Sequence, residues 1–270
     1  MADDYFHITL NTRLPWSNNE PMAVGNSITT TDVNPFFNYY ISYPYPRETF
    51  IQNGVTHDIS RIALLGHIAS GNLYNSDMRY VASIGHETAK HFCTYVRELI
   101  WESVRTSEFP ELPSRQKCIW LTKGEDNLHY WIERLGRPAE QITVFKVLPD
   151  GRMHTTSETH LSGDAESYLE SVEKSRRYWR GEIDNPLHQE ILFEGTMLVE
   201  SKSVHLTNVG GTVQKNSELL TSDYSAFWTL LPVCYNGKQC LKSSSGSPQT
   251  PHAKPFGGAY GGYSFIKFKI

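Results

Sequence analysis

The chain has 270 residues with 25 basic and 29 acidic side chains, so its formal net charge is −4. This balance excludes the broad basic surface of a protein that coats nucleic acid, although it allows an enzyme that meets nucleic acid locally. Hydrophobic residues make up 39% and charged residues 20%, which predicts a globular protein rather than a disordered one.

The start of the chain and its cysteines predict a cytoplasmic protein that makes no contact with a membrane. Residues 1–4 are acidic and lack the basic and apolar regions of a secretory signal. No apolar run of about 18 residues predicts a membrane-spanning helix. The four cysteines form no CxxC pair, which predicts reduced thiols. They are Cys93, Cys118, Cys234 and Cys240.

The first predicted element is a buried strand at Tyr5–Leu10, where aromatic and β-branched residues dominate. Residues 11–61 are rich in Asn, Pro and aromatic residues without a clear period, which indicates short helices at most within a covering lobe or a set of large loops. Glu87–Arg105 is predicted to be an amphipathic helix, because apolar residues including Phe92, Val96 and Leu99 recur there at steps of three and four.

Short strands and helices alternate after this helix. We expect a strand at Lys117–Thr122 and a helix at Glu125–Leu135 that ends at Gly136. A strand at Gln141–Leu148 should then be followed by a turn at Pro149-Asp-Gly. This mixture of elements predicts an α+β domain.

The last third of the chain contains one more predicted helix. Ser162 is the predicted N-cap of this helix, which carries Tyr168, Leu169, Val172 and Trp179. The other expected elements are strand pieces at Glu190–Phe193 and Thr196–Val199, a surface loop at Ser243–Gly262 and a terminal strand at Ser264–Ile270.

The common catalytic motifs are missing from this sequence. It contains no GxxxxGK[ST] phosphate loop, GxGxxG, HExxH or GxSxG. The histidine pairs His86 with His91 and His154 with His160 lack the one-turn spacing that places two metal ligands on one helix face. We therefore expect exposed or hydrogen-bonded histidines and no metal.

Three separated elements carry residues suited to binding and catalysis. His7 in the first strand could hold a ligand hydroxyl through one ring nitrogen, or be a core residue. Trp120, with Tyr130 and Trp131 on the next helix, could sandwich a planar ring, or be core. Glu190 opens an apolar strand, where a charge needs a partner or a function.

The order of these elements resembles that of the ADP-ribosyltransferase superfamily, whose signature is written H-Y-E. The block from Glu108 to Thr122, and Tyr178-Trp-Arg-Gly followed by Glu190-Ile-Leu-Phe-Glu-Gly, are similar to a bacterial branch with toxins of toxin–antitoxin and anti-phage systems. The similarity covers residues 5–10 and 85–200.

The resemblance implies an ADP-ribosyltransferase-like α+β fold with split β-sheets and flanking helices. The catalytic domain would span residues 1–200, with 11–84 as an insertion or covering region. Residues 201–270 would be a C-terminal extension of the same domain.

The resemblance also implies roles for individual residues. Glu190 would be the catalytic glutamate, with Glu194 as the alternative. His7 would hydrogen-bond the adenosine-side ribose of NAD, and Thr9 would lie beside the nicotinamide amide.

The second position of the signature departs from the family. Trp120 stands where the family has Tyr, so the hydroxyl contact is lost and stacking remains. Thr122 completes the aromatic-x-Ser/Thr pattern and would also bind NAD, and either Tyr130 or Trp131 would stack on nicotinamide.

The activity implied is transfer of ADP-ribose from NAD to a macromolecule, with release of nicotinamide and no metal. Nucleic acid, RNA in particular, is the favoured acceptor, because aromatic residues stack bases and basic clusters hold phosphates. A protein acceptor is the alternative, an antitoxin is a possible partner, and the rival functions are a non-catalytic aromatic binding module or an RNA-processing phosphotransferase. The first basic cluster contains Arg176, Arg177 and Arg180, and the second contains Lys238 and Lys242. The alternative interpretation is that the first is a solvated helix face and the second an ordinary loop.

Overall fold

A computed structural model describes residues 4–11, 22–30, 33–52, 54–161 and 165–203. The predicted cap at Ser162, the loop at Ser243–Gly262 and the strand at Ser264–Ile270 lie outside these residues. None of the described helices is long and apolar enough to cross a membrane.

The described residues form seven strands and five α-helices, mixed along the chain. The strands are β1 (Tyr5–Leu10), β2 (Ser27–Thr29), β3 (Arg47–Gln52), β4 (Val55–Ser60), β5 (Ile119–Lys123), β6 (Ile142–Ser157) and β7 (Gln189–Ser203). The α-helices are α1 (Pro35–Ser42), α2 (Arg61–Ala69), α3 (Met78–Glu108), α4 (Gly124–Leu135) and α5 (Tyr168–Trp179). The α+β class expected from the sequence is confirmed.

The main sheet is antiparallel and curls until it closes on itself. Its strand order is β2-β7-β5-β1-β6, and β6 pairs with β7 again. The hairpin of β3 and β4 forms a separate small sheet. A closed sheet has one inner and one outer face, and side chains alternate between them along each strand.

Apolar side chains fill the inner face and two patches of the outer face. The inner cluster contains Leu121, Phe145, Val147, Ile191, Phe193, Met197 and Val199. On the outer face, α4 packs over β1 and β6 through Leu128, Trp131 and Leu135. Helices α3 and α5 cover the other patch, which contains Trp101, Val104, Cys118, Leu161, Tyr178, Trp179 and Leu192.

Helix α3 is longer than predicted, and its buried face is different. Phe92, Val96 and Leu99 are between 39% and 52% exposed. The face turned toward the sheet instead includes Glu98 and Trp101, each 1% exposed. The predicted helix is confirmed and Val104 of its apolar stripe is buried, but the rest of the buried face differs because it also carries Arg97 and Glu98, which form an ion pair within the fold.

The turn predicted at Pro149-Asp-Gly was also wrong, as was the division of residues 190–199 into two strands. Both segments lie inside one long ladder of β6 and β7, in which Gly151 pairs with Gly195. A Cβ on Gly195 would lie 2.4 Å from the Asp150 carbonyl oxygen. These glycines therefore allow two backbones to approach closely, rather than ending the strands.

We expect Gly195→Ala to lower the free energy of unfolding by about 1–3 kcal/mol, because the new methyl group meets backbone that cannot move aside cheaply. Gly66→Ala is the matched control, since nothing lies within 4 Å of its Cβ position in α2. The control should raise stability by about 0.5–1 kcal/mol. Urea unfolding measures both, and equal stability of the two variants would contradict the close approach.

The ends of α4 and α5 follow local capping rules. Gly136 ends α4 in the left-handed conformation, with φ of 56°, as predicted. The N-cap of α5 is Ser167 and not Ser162, so that prediction was wrong, because the Ser167 side chain forms a capping box with Glu170. Tyr168 and Leu169 at the start of α5 are exposed.

Candidate functional site

Glu190 lies on the outer face at the start of β7 and is only 3% exposed. Its Oε1 accepts hydrogen bonds from Arg115 Nη1, at 2.9 Å, and from the hydroxyl of Tyr178. Burial raises the pKa of Glu190, although attraction to Arg115 and the bond from Tyr178 oppose that shift. The carboxyl group is thus buried, held and perturbed, as functional acids often are.

Arg115 reaches this carboxylate because the loop between α3 and β5 is anchored along its length. The backbone N–H of Ser114 donates to Glu194, and the Ser114 hydroxyl donates to Glu102 at 2.8 Å. Asn34 Nδ2 donates to the Arg115 carbonyl at 2.7 Å. These hydrogen bonds fix the loop so that the Arg115 side chain lies in the core, where it is 1% exposed.

A second carboxylate holds the other side of the Arg115 guanidinium. Glu98 accepts from Arg115 Nε at 2.9 Å and from Nη2 at 3.0 Å, the bidentate geometry that favours Arg. Arg97 Nη2 also donates to Glu98, at 3.0 Å. Burial would raise the pKa of Glu98, but attraction to Arg115 and Arg97 outweighs it and the pKa is lowered. Two arginines and two glutamates therefore balance their charges in the core.

Tyr178 is fully buried at the end of α5. Its carbonyl accepts from the Thr156 hydroxyl at 2.7 Å, which ties the helix to β6. Burial raises the pKa of Tyr178 far above its usual range, so the phenol keeps its proton and donates to Glu190.

Glu194, the alternative catalytic residue, has a different environment. It points to the same face as Glu190, because the two residues are four positions apart on one strand and side chains alternate between faces. Its carboxylate accepts from the Ser114 N–H and from Arg152 Nη2, at 2.6 Å. Glu194 thus anchors the loop that carries Arg115.

The aromatic residues of α4 lie beside the start of β7. Trp131 Nε1 donates to the Gln189 carbonyl at 2.7 Å. The Tyr130 hydroxyl donates to Glu158, and its ring stacks on His188 at 4.9 Å. The structure therefore places both predicted stacking residues near Glu190.

Trp120 and Thr122 share this outer face on β5. Trp120 pairs with Leu192 across the ladder, and extending that register places Thr122 opposite Glu190. The Thr122 hydroxyl is sealed from solvent and has no hydrogen-bond partner among the described residues. Such a group is suited to a ligand or an ordered water.

His7 and Thr9 point to the other face of the sheet. His7 pairs with Phe145 of the inner cluster, so its ring does not share a face with Glu190. The structure therefore does not gather all the predicted NAD-binding side chains on one surface. Within the described ranges, the Thr9 hydroxyl makes only a long contact of 3.5 Å, to the Leu10 carbonyl.

The His7 ring bridges two strands at the place where they part. Strands β1 and β5 pair only at Tyr5–Lys123 and Phe6–Thr122, and beyond that His7 Nδ1 contacts the Trp120 carbonyl at 2.9 Å. A carbonyl only accepts, so Nδ1 carries the proton. Burial lowers the pKa of His7, which leaves the ring neutral with a lone pair on Nε2.

The arginines of α5, proposed to hold phosphate, are paired with acidic neighbours. Arg176 donates to Glu108 at 2.9 Å, and Arg177 donates to Glu182 at 2.8 Å. Arg180 lies 3.6 Å from Glu182. This is the solvated helix face that was the alternative interpretation, and Lys238 and Lys242 lie outside the described residues.

The described histidines include core and hydrogen-bonded residues. Burial lowers the pKa of His91 to about 4, and the rings of Tyr40 and Tyr45 surround it at 5.0 and 4.2 Å. His154 and His160 contact the carbonyls of Tyr178 and Glu182. No group of three or more potential ligands within the described ranges could hold a metal ion.

Sequence reasoning missed Glu98, Arg115 and Tyr178 as members of this site. Arg115 and Tyr178 lie in the segments that carried the family resemblance, but no local pattern connects them to Glu190. The available signal for Glu98 was its position three residues before Trp101, on one helix face.

Comparison of the sequence with models of known protein families assigns the chain to one family. Residues 5–205 match the family described as "Protein of unknown function (DUF2441)", and the chain belongs to that family. The match extends from β1 to the end of β7. The comparison with curated proteins found no match to the chain.

Proposed function

We propose that this protein transfers ADP-ribose from NAD to a macromolecule, with Glu190 as the catalytic carboxylate. The observation that carries the proposal is the adjacency of three strands. His7, Trp120 and Glu190 occur in the order of the H-Y-E signature, and their strands β1, β5 and β7 are neighbours in the sheet.

The chemistry requires a carboxylate near the sugar that carries nicotinamide. The bond between the ribose C1′ and the nicotinamide nitrogen breaks, and nicotinamide leaves with the electron pair. The positive charge that develops on the sugar is stabilised by a fixed carboxylate, as in glycoside cleavage. The acceptor nucleophile then bonds to C1′ and releases its proton to solvent.

Three groups near β5 suit the binding of NAD. The lone pair of His7 Nε2 can accept from a hydroxyl of the adenosine-side ribose, and Nε2 has no partner among the described residues. The Thr122 hydroxyl can bind the nicotinamide amide, and the half-buried Tyr130 can stack on its ring, whereas Trp131 is 4% exposed and packs in the core. Strands β1 and β5 stop pairing after Phe6, and the gap that opens there lies between these groups.

The acceptor proposed is nucleic acid, RNA in particular, because the chain is rich in aromatic residues, which can stack on bases. The paired arginines of α5 give this acceptor no support, so a protein acceptor is the alternative outcome of the experiment below. A restraining antitoxin is the partner proposed with it.

The proposal is tested by incubating the purified chain with bacterial lysate and NAD labelled in its adenylate phosphate. We expect release of nicotinamide and a labelled macromolecule. Nuclease should remove the label if RNA or DNA is the acceptor, and protease should remove it if protein is. Absence of both nicotinamide release and label would favour a non-catalytic binding module.

Two substitutions of His7 separate ligand binding from structure. His7→Asn keeps a donor near the position of Nδ1 and removes Nε2, whereas His7→Ala removes both. We expect each to raise the KM for NAD about three- to tenfold with little change in kcat, since one hydrogen bond is worth about 0.5–1.5 kcal/mol. His57→Ala, on the separate hairpin, is the control. An effect of His7→Ala alone would show that the strand bridge matters and Nε2 does not.

A further inference from the structure

We propose that Arg115 and Tyr178 position the carboxylate of Glu190 so that Oε2 alone meets the substrate. This inference rests on the proposed transferase function and names two further positioning residues for it. Both donors bind the same oxygen, Oε1. Among the described residues, the hydrogen bonds and the ion pair of Glu190 all use Oε1, and its side chain keeps 4% of its surface exposed.

Two donors on one oxygen fix the rotation of the carboxyl group. With Arg115 alone, the carboxylate could turn about its terminal torsion, which is broad for Glu. The second bond, from Tyr178, removes that freedom. A carboxylate that need not reorient stabilises developing charge at no further cost during the reaction.

Each donor is itself immobilised by other parts of the fold. Glu98 holds the far edge of the Arg115 guanidinium through two hydrogen bonds. The Tyr178 ring packs 5.0 Å from Arg115 and edge-on to Trp179, also at 5.0 Å. The Trp179 indole donates to the carbonyl of Trp101 on α3. The position of the Glu190 carboxylate therefore depends on residues that hold Arg115 and Tyr178 but do not contact Glu190 themselves.

Tyr178 also supplies a hydroxyl beside Glu190 that Trp120 cannot supply. Trp120 stands at the tyrosine position of the signature and offers no hydroxyl group. The Tyr178 phenol approaches Glu190 from α5 instead, on the same outer face as Trp120. The hydroxyl that holds Glu190 therefore comes from α5 and not from β5.

Tyr178→Phe tests the inference, because it removes one hydroxyl and keeps the buried ring. Tyr40→Phe is the matched control, a buried tyrosine on α1 that does not contact Glu190. We expect Tyr178→Phe to lower kcat for nicotinamide release about 10- to 100-fold, the loss of one bond to a charged group. The KM for NAD should stay within about twofold, and Tyr40→Phe should match the wild type.

The pH dependence separates positioning from general damage to the fold. Removing a donor to the charged form raises the pKa of Glu190, so the acidic limb of kcat should move to higher pH in Tyr178→Phe. A lowered kcat with an unmoved limb, or an unchanged kcat, would overturn the inference. The other ionisable groups that face Glu190 or interact with it are Arg115, Glu98, Glu158 and Cys118.

A measurement without NAD distinguishes failure of this inference from failure of the proposed function. Carbon-13 labelling of the glutamate carboxyl groups allows the titration of Glu190 to be followed by NMR, with Glu190→Gln assigning its signal. Tyr178→Phe should raise the midpoint and Tyr40→Phe should not. If the wild type releases no nicotinamide, the proposed function fails, while an unshifted midpoint overturns the positioning by Tyr178.

Discussion

Glu190→Gln is expected to lower the rate of nicotinamide release by at least about 100-fold while NAD still binds. The amide has the shape of the carboxylate, and its oxygen can still accept from Arg115 and Tyr178 at the position of Oε1. Its NH2 group then occupies the place of Oε2 and presents a donor where the reaction needs negative charge. Nicotinamide release and equilibrium binding of NAD measure the two effects separately.

Glu194→Gln is the matched control for this experiment. It removes an equal charge from the same face of β7, but the structure shows that carboxylate holding Ser114 and Arg152. The amide oxygen of the glutamine can still accept from the Ser114 N–H and keep the loop anchored, so the chemical step should be largely retained. Full activity of Glu190→Gln, together with loss of activity in Glu194→Gln, would show that the other carboxylate is catalytic.

Arg115→Met should destabilise the fold by about 3–5 kcal/mol, because it leaves Glu98 and Glu190 without their shared buried partner. The methionine fills much of the volume of the arginine stem, so the loss comes mainly from unpaired charge. Urea unfolding at neutral pH gives the free energy.

Two further variants show whether unpaired charge causes that loss. Arg47→Met breaks an exposed ion pair with Asp58, whose side chains are 52% and 56% exposed, and should cost less than about 1 kcal/mol. Adding Glu98→Gln to Arg115→Met should recover part of the stability, because one uncompensated carboxylate is removed. A double variant no more stable than Arg115→Met would assign the loss to packing instead.

The sequence by itself determined the elements that local chemistry specifies. Strand β1 matches the aromatic and β-branched run Tyr5–Leu10, and α4 ends at Gly136 because glycine adopts the left-handed conformation without a Cβ clash. In these segments the signal lies within a few neighbouring residues. The α+β class follows from such segments, and the family match over residues 5–205 includes them all.

Tertiary structure alone decided which side chains meet. Pro149-Asp-Gly has the composition of a turn, yet it lies within β6 because Gly195 of β7 faces Gly151. Glu190 and Arg115 are 75 positions apart, and no local period connects them. A buried charge is strongly destabilising unless a partner of opposite charge lies beside it. The buried face of α3 and the partners of Glu190 therefore depend on the whole fold, because it brings these distant residues together.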